Sequence, residues 1–299
     1  MLSARQARRG LLVFILALAA TTCASIWLVR RIRPPALSTI AFPLAMVTLL
    51  SYCPAIASLI ARVILREGIR DISFKWGGEW SYQAMLIAWL WPVVCGSLTY
   101  SVAWVAGFTH FRWTPVDYPF GTWGPENLLG ISIFGMSSMR GFVVRLIACL
   151  LFALVACVQS FGEELGWRGY MLTRLFDAKV PVPVFWNGLA WGLWHLPYSL
   201  ILASRDLPEQ RSVSFFFFIA GTVAGTYLLS YLRLRSGSIW PAVLAHASGN
   251  AVFLLAFNGF TAANPFWKGE LYLLSVALPV IVLMFLPRPW TVRYWPQGS

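Results

Sequence analysis

Two adjacent acidic residues, Glu163 and Glu164, follow a long apolar run. From residue 141 to residue 159 the only charged residue is Arg145, so the carboxylates end a segment of membrane-spanning length. An ionisable group there is costly and indicates a functional site. Arg168 follows Glu164 by one helical turn on the same face, where it is expected to neutralise that carboxylate. Glu163 points about 100° away, which leaves it free for chemistry.

Two of the three histidines also lie in apolar runs. His195 comes one turn after Trp191 and two residues before a proline, and His246 lies one turn before Asn250 on the same helix face. Imidazole and amide groups can activate water or stabilise a developing negative charge. Each of them alone could equally bond across a helix bundle. Their combination with Glu163 on three apolar segments predicts one catalytic site.

The composition is that of a polytopic membrane protein. Hydrophobic residues make up 59% of the 299 residues and charged residues 11%, against roughly a quarter charged in soluble domains. The 16 Trp and 10 Tyr are typical of interfacial aromatic belts. The net charge of +12 comes from arginines at the ends of apolar runs, which indicates topology signals and lipid contacts rather than nucleic-acid binding. The five cysteines have neither metal-type nor disulfide spacing.

The apolar runs predict an all-α transmembrane bundle of about eight spans, by a criterion of roughly 20 residues each. We expect a single membrane domain over 1–299, with helices four to seven (141–257) as the catalytic core. The first run is interpreted as a retained span, not a signal peptide. The predicted spans are 10–29, 37–65, 82–108, 141–165, 182–203, 215–234, 239–257 and 271–286. Small residues at four-residue spacing predict close helix contacts at Gly162 and Gly166, Gly188 and Gly192, and Gly221 and Gly225.

The distribution of positive charge predicts the orientation, because Lys and Arg favour the cytoplasmic side. With both termini cytoplasmic, the inner segments hold 14 of the 23 Lys and Arg residues. The expected location is the plasma (inner) membrane. The Gly- and Pro-rich stretch 109–140 is expected to be a loop, with 115–129 lying at the interface.

Three short motifs occur in order on successive predicted helices. They are Glu163-Glu164-x-x-x-Arg168, Trp191-x-x-x-His195 and His246-x-x-x-Asn250. Together they resemble the motifs of the CPBP intramembrane protease family, which includes the CAAX prenyl endopeptidases and bacterial Abi-type proteins. Trp191 stands where that family usually has Phe, and we expect the larger ring to alter the shape of the cavity more than the chemistry.

The resemblance implies hydrolysis of a peptide bond inside the bilayer, and the residue types agree with it. Glu163 is the expected general base, and His195 is expected to orient or share the attacking water. His246 and Asn250 are expected to stabilise the oxyanion. The expected partners are membrane lipid and a membrane-associated or lipidated peptide, CAAX-type prenylation being one option.

The part played by a metal stays open at this point. A glutamate and two histidines, here Glu163, His195 and His246, are also a plausible zinc set. His-x-x-x-Asn is a poorer zinc pattern than His-x-x-x-His, so the preferred interpretation requires no cofactor.

Two alternatives to a protease remain from the sequence. One is a membrane scaffold or partner-binding protein that keeps these polar residues for helix packing. The other is a transporter that uses them as an ion relay, although the sequence has no inverted repeat of the kind that transporters carry.

Overall fold

The computed structural model describes residues 2–31, 48–111, 139–197, 208–257, 260–262 and 267–286. Helices dominate these ranges, as predicted. They are α1 (Ala4–Arg31), α2 (Cys53–Leu65), α3 (Ser81–Val105), α4 (Met139–Gly166), α5 (Leu172–Asp177), α6 (Pro183–Trp194), α7 (Pro208–Ser236), α8 (Trp240–Ala251) and α9 (Trp267–Leu283). The interface segment predicted at 115–129 lies outside the described residues.

Five helical segments among the described residues are long and apolar enough to cross a membrane, which identifies an integral membrane protein. They are Ala4–Leu28, Thr48–Leu65, Ser81–Val105, Gly141–Asp177 and Phe215–Ser236, with Leu271–Leu283 as a shorter apolar helix. The predicted count of about eight is not confirmed. Two of the predicted spans contain α6 and α8, which have 12 residues each. Residues 198–203, which would complete the fifth predicted span, lie outside the described residues.

A short two-stranded antiparallel sheet accompanies the helices. Strand β1 (Thr109–Phe111) pairs with β2 (Phe260–Ala262). The chain leaves α3 through Gly107, whose φ of +76° is readily adopted only without a side chain. Backbone groups beyond that turn no longer have helical partners, and the strand pairing satisfies them.

Five of the six glycines predicted to mediate close helix contacts do so, because a β-carbon at each would lie less than 3.0 Å from an atom of another helical segment. A β-carbon at Gly166 would lie 2.6 Å from the carbonyl carbon of Pro54, and one at Gly188 would lie 2.8 Å from the Cα of Val223. These approaches pack α4 against the start of α2, and α6 against α7. The expectation fails for Gly225, because a β-carbon there would meet no atom within 4 Å.

Buried charges hold the segment after α2 against the bundle. Asp71 binds Arg62 at 2.6 Å and Arg174 at 2.7 Å, and Glu67 binds Arg174 at 2.8 Å. Arg233 donates to the backbone oxygen of Asp71 at 2.8 Å. Burial opposes ionisation of Asp71, but hydrogen bonding and charge from Arg62 and Arg174 outweigh it and keep the pKa of Asp71 below its usual value. The cluster therefore couples α2, α5 and α7 at one end of the bundle.

Candidate active site

The two glutamates lie at the end of α4, directly before a π-helical turn. That turn spans Trp167–Met171 and carries Arg168. Such turns insert an extra residue into a helix and often occur at functional sites. Side chains from two other helices bind its carbonyl groups: Asn187 donates to the oxygen of Trp167 at 3.0 Å, and Arg62 donates to that of Gly169 at 3.0 Å. The turn beside the glutamates is thus held from both sides.

Glu164 is the fully buried member of the pair. It accepts hydrogen bonds at Oε1 from Nη1 of Arg168 at 2.8 Å and from Nδ1 of His246 at 2.9 Å. The expected Arg168–Glu164 ion pair is therefore present, and His246 adds a second donor. Arg168 also donates to Thr226 Oγ1 at 2.8 Å, a contact from α7 with no signal in the sequence. The carboxylate of Glu164 is therefore occupied by Arg168 and His246.

Glu163 has a different environment, although its side chain is also almost completely buried. Its Oε2 accepts a hydrogen bond from Nε1 of Trp191 at 2.7 Å, and Nε2 of His195 lies 3.9 Å from the same oxygen. A distance of 3.9 Å is too long for a direct hydrogen bond. The expectation that Trp191 alters shape more than chemistry is incomplete, because its indole N–H binds the carboxylate, which a Phe ring cannot do.

His195 caps the C-terminus of α6 and does not lie deep within a long helix as predicted. The helix begins with Pro183, a favourable first residue, and ends at Trp194, with His195 as its C-cap. Nδ1 of His195 lies 2.8 Å from the carbonyl oxygen of Trp191. Because a carbonyl only accepts, Nδ1 carries the proton, and Nε2 of the neutral ring is an acceptor on the Glu163 side.

The second histidine comes from α8, which has Pro241 in its first turn. His246 donates to a carboxylate through Nδ1, so its Nε2 can donate only when the ring is an imidazolium. Its ring packs edge-on to Trp191 at 5.1 Å between centroids. Asn250 follows on the same face and is half-buried, but within the described residues it has no hydrogen bond to the glutamates or histidines. The structure therefore unites the candidate residues except Asn250.

The zinc set proposed from Glu163, His195 and His246 stays a prediction. Among the described residues, no three His, Cys, Asp or Glu side chains are grouped closely enough to hold a metal ion. His246 uses its Nδ1 on Glu164, whereas His195 lies beside Glu163.

These features define a helical membrane protein with a buried cluster of two glutamates, two histidines and an arginine. Residues 145–252 match the family described as Type II CAAX prenyl endopeptidase Rce1-like. The matched segment contains all the candidate site residues, confirms the resemblance suggested by the three motifs, and implies a protease. Comparison with curated proteins and with solved structures gives no match.

Proposed function

We propose that the protein is an intramembrane endopeptidase that hydrolyses a peptide bond of a membrane-bound peptide or protein. The observation that carries this proposal is the pair formed by Glu163, buried in a segment long enough to span a membrane, and the half-buried His195, with two acceptor atoms 3.9 Å apart. The family match over the same segment supports the reaction class.

The spacing suits a shared water molecule. A water oxygen placed about 2.8 Å from both atoms would make two hydrogen bonds that meet at about 90°, close to the angle between its own two hydrogens. Because Glu163 Oε2 and His195 Nε2 are both acceptors, that water would donate to both. Its lone pairs would then face away from the pair, toward a substrate carbonyl.

In the proposed reaction Glu163 removes a proton from this water as the oxygen attacks the carbonyl carbon. The tetrahedral intermediate carries its negative charge on the former carbonyl oxygen. When the C–N bond breaks, the proton held by Glu163 passes to the leaving amine nitrogen, and the carboxylate is restored. General base catalysis of this kind contributes about 10² to 10⁴-fold.

Stabilisation of the oxyanion is assigned to His246 and Asn250. His246 can donate through Nε2 only as an imidazolium, and its Nδ1 lies 2.9 Å from the carboxylate of Glu164. Arg168 compensates the rest of the charge on Glu164. Asn250 is positioned one turn further along α8, where its amide supplies the second donor once substrate is bound.

The proposed substrate is a lipidated peptide, with a prenylated C-terminal Cys-a-a-X sequence as the first choice. This class follows from the description of the matched family, and a span-rich protein is suited to a substrate anchored in the same bilayer. We further propose location in the plasma (inner) membrane with cytoplasmic termini, in agreement with the distribution of positive charge.

The test is cleavage by purified protein in liposomes of an internally quenched peptide ending in Cys-a-a-X, with and without a farnesyl group. The expected result is release of the last three residues from the farnesylated peptide, identified by mass spectrometry. Cleavage of both peptides would retain the protease and remove the prenyl requirement. If neither peptide is cut and membranes with and without the protein release the same fragments, the scaffold alternative replaces the proposal.

A further inference from the structure

Trp191 contacts four of the charged or titratable residues of the site. Its indole N–H donates to Glu163 at 2.7 Å. The guanidinium of Arg168 lies 4.4 Å above its ring, and the ring of His246 lies 5.1 Å away. Its own carbonyl oxygen is 2.8 Å from Nδ1 of His195. One residue thus binds Glu163 through its side chain and His195 through its backbone.

These contacts have distinct physical consequences. A hydrogen bond from a buried donor to a carboxylate is short and strong, and it restricts Glu163 to one rotamer. The backbone contact fixes the ring orientation and the tautomer of His195. Because both partners of the proposed water are anchored to the same residue, their 3.9 Å separation is determined by the position of Trp191 on α6.

We propose that Trp191 is a positioning residue that holds Glu163 through its indole N–H and sets the geometry of the attacking water. The inference rests on the proposed hydrolase function. It assigns a role to the indole N–H, which the Phe of the related motif lacks.

Two substitutions of Trp191 separate the effect of its indole N–H donor from the effect of its ring size. W191F keeps an aromatic ring but has no N–H. W191H is smaller, but its Nε2 occupies the ring position equivalent to the indole Nε1 and can donate. W89F is the matched control, because Trp89 donates its indole N–H at 2.8 Å to a backbone oxygen of α4 away from the glutamates.

Kinetics on the farnesylated peptide in liposomes provide the first measurement. W191F should lower kcat by about ten- to a hundred-fold, the equivalent of one hydrogen bond to a charged group, with KM unchanged. W191H should retain more of kcat than W191F, and W89F should be close to wild type. A W191F enzyme with wild-type kcat, a loss confined to KM, or W191H no better than W191F would overturn the proposal.

A stability cycle tests the contact without relying on catalysis. W191F, E163A and the double variant are compared by apparent melting temperature. The double variant should lose less than the sum of the two single losses, because each single change breaks the same hydrogen bond. Additive losses would overturn the contact itself. Coupled losses in a wild-type protein that cuts no peptide would leave the contact intact but overturn the proposed function, and with it the catalytic role of Trp191.

Discussion

Replacing each of the two adjacent glutamates by Gln should produce opposite phenotypes. In Glu163→Gln the amide oxygen can still accept the Trp191 N–H, so one charged hydrogen bond becomes neutral at a cost of about 1 kcal/mol. The apparent Tm should then fall by only about 2 to 4 °C. Loss of the general base should lower kcat by about 10² to 10⁴-fold.

Glu164→Gln removes the same charge one residue further along, where Arg168 and His246 depend on it. Breaking a buried ion pair on one side costs about 3 to 5 kcal/mol, because an uncompensated charge remains. The apparent Tm should fall by about 10 °C, and lost activity should partly follow the amount of folded protein.

The assay measures peptide cleavage per folded molecule, with the folded amount determined by size-exclusion chromatography and thermal unfolding in the same detergent. The reasoning is refuted if Glu163→Gln is as destabilising as Glu164→Gln. It is equally refuted if Glu163→Gln retains full kcat. Either result would identify Glu163 as a packing residue.

Two further predictions concern the scaffold. Asp71→Asn should lower the free energy of unfolding by about 2 to 4 kcal/mol at pH 7, because it uncouples Arg62 and Arg174. The folded-state pKa of Asp71 is lowered. The stabilisation by its carboxylate is therefore present above the unfolded pKa of about 4 and is lost as the pH falls through the folded value. Thermal unfolding of both proteins should therefore converge below about pH 4, and a difference that persists unchanged to pH 2 would contradict this. Gly166→Ala should destabilise the protein by about 1 to 3 kcal/mol, because the added methyl group overpacks against Pro54. Gly225→Ala should be neutral or stabilising, because there is open space at its β-carbon. Equal unfolding temperatures for the two variants would be inconsistent with the packing described.

Local periodicity explains which parts of the site were predictable. The pairing of Glu164 with Arg168 follows from a spacing of four residues, and so do the close contacts at Gly162, Gly166 and Gly188. Composition alone indicated a membrane protein. These features depend on neighbours within one or two turns, which the sequence displays directly.

Contacts between distant segments could not be predicted in the same way. Thr226 meets Arg168 across 58 residues, and Glu67 meets Arg174 across 107. The π turn after the glutamates has no periodic signal, because it is a single i to i+5 interruption stabilised by side chains from elsewhere. The hydrogen bond from Trp191 to Glu163 likewise depends on how α6 packs beside α4.

The predicted count of about eight spans is not confirmed, and interruptions of the helices give a physical reason. An apolar run of roughly 20 residues does not require one continuous α-helix when Pro197 lies within it, or when a π turn such as Val252–Ala256 follows α8. The apolar character of a segment reflects its surroundings, whereas the length of a helix depends on where the backbone hydrogen-bonding pattern changes.

The most direct test of water activation by Glu163 is cleavage of the farnesylated peptide in water enriched in oxygen-18, with wild-type protein and Glu163→Gln reconstituted side by side at equal folded amounts. The new C-terminal carboxylate formed by wild-type protein should carry one oxygen-18 atom per turnover, and Glu163→Gln should form at most about one hundredth as much of this product. A fragment without the label, or one released equally by both proteins, would contradict water activation by Glu163.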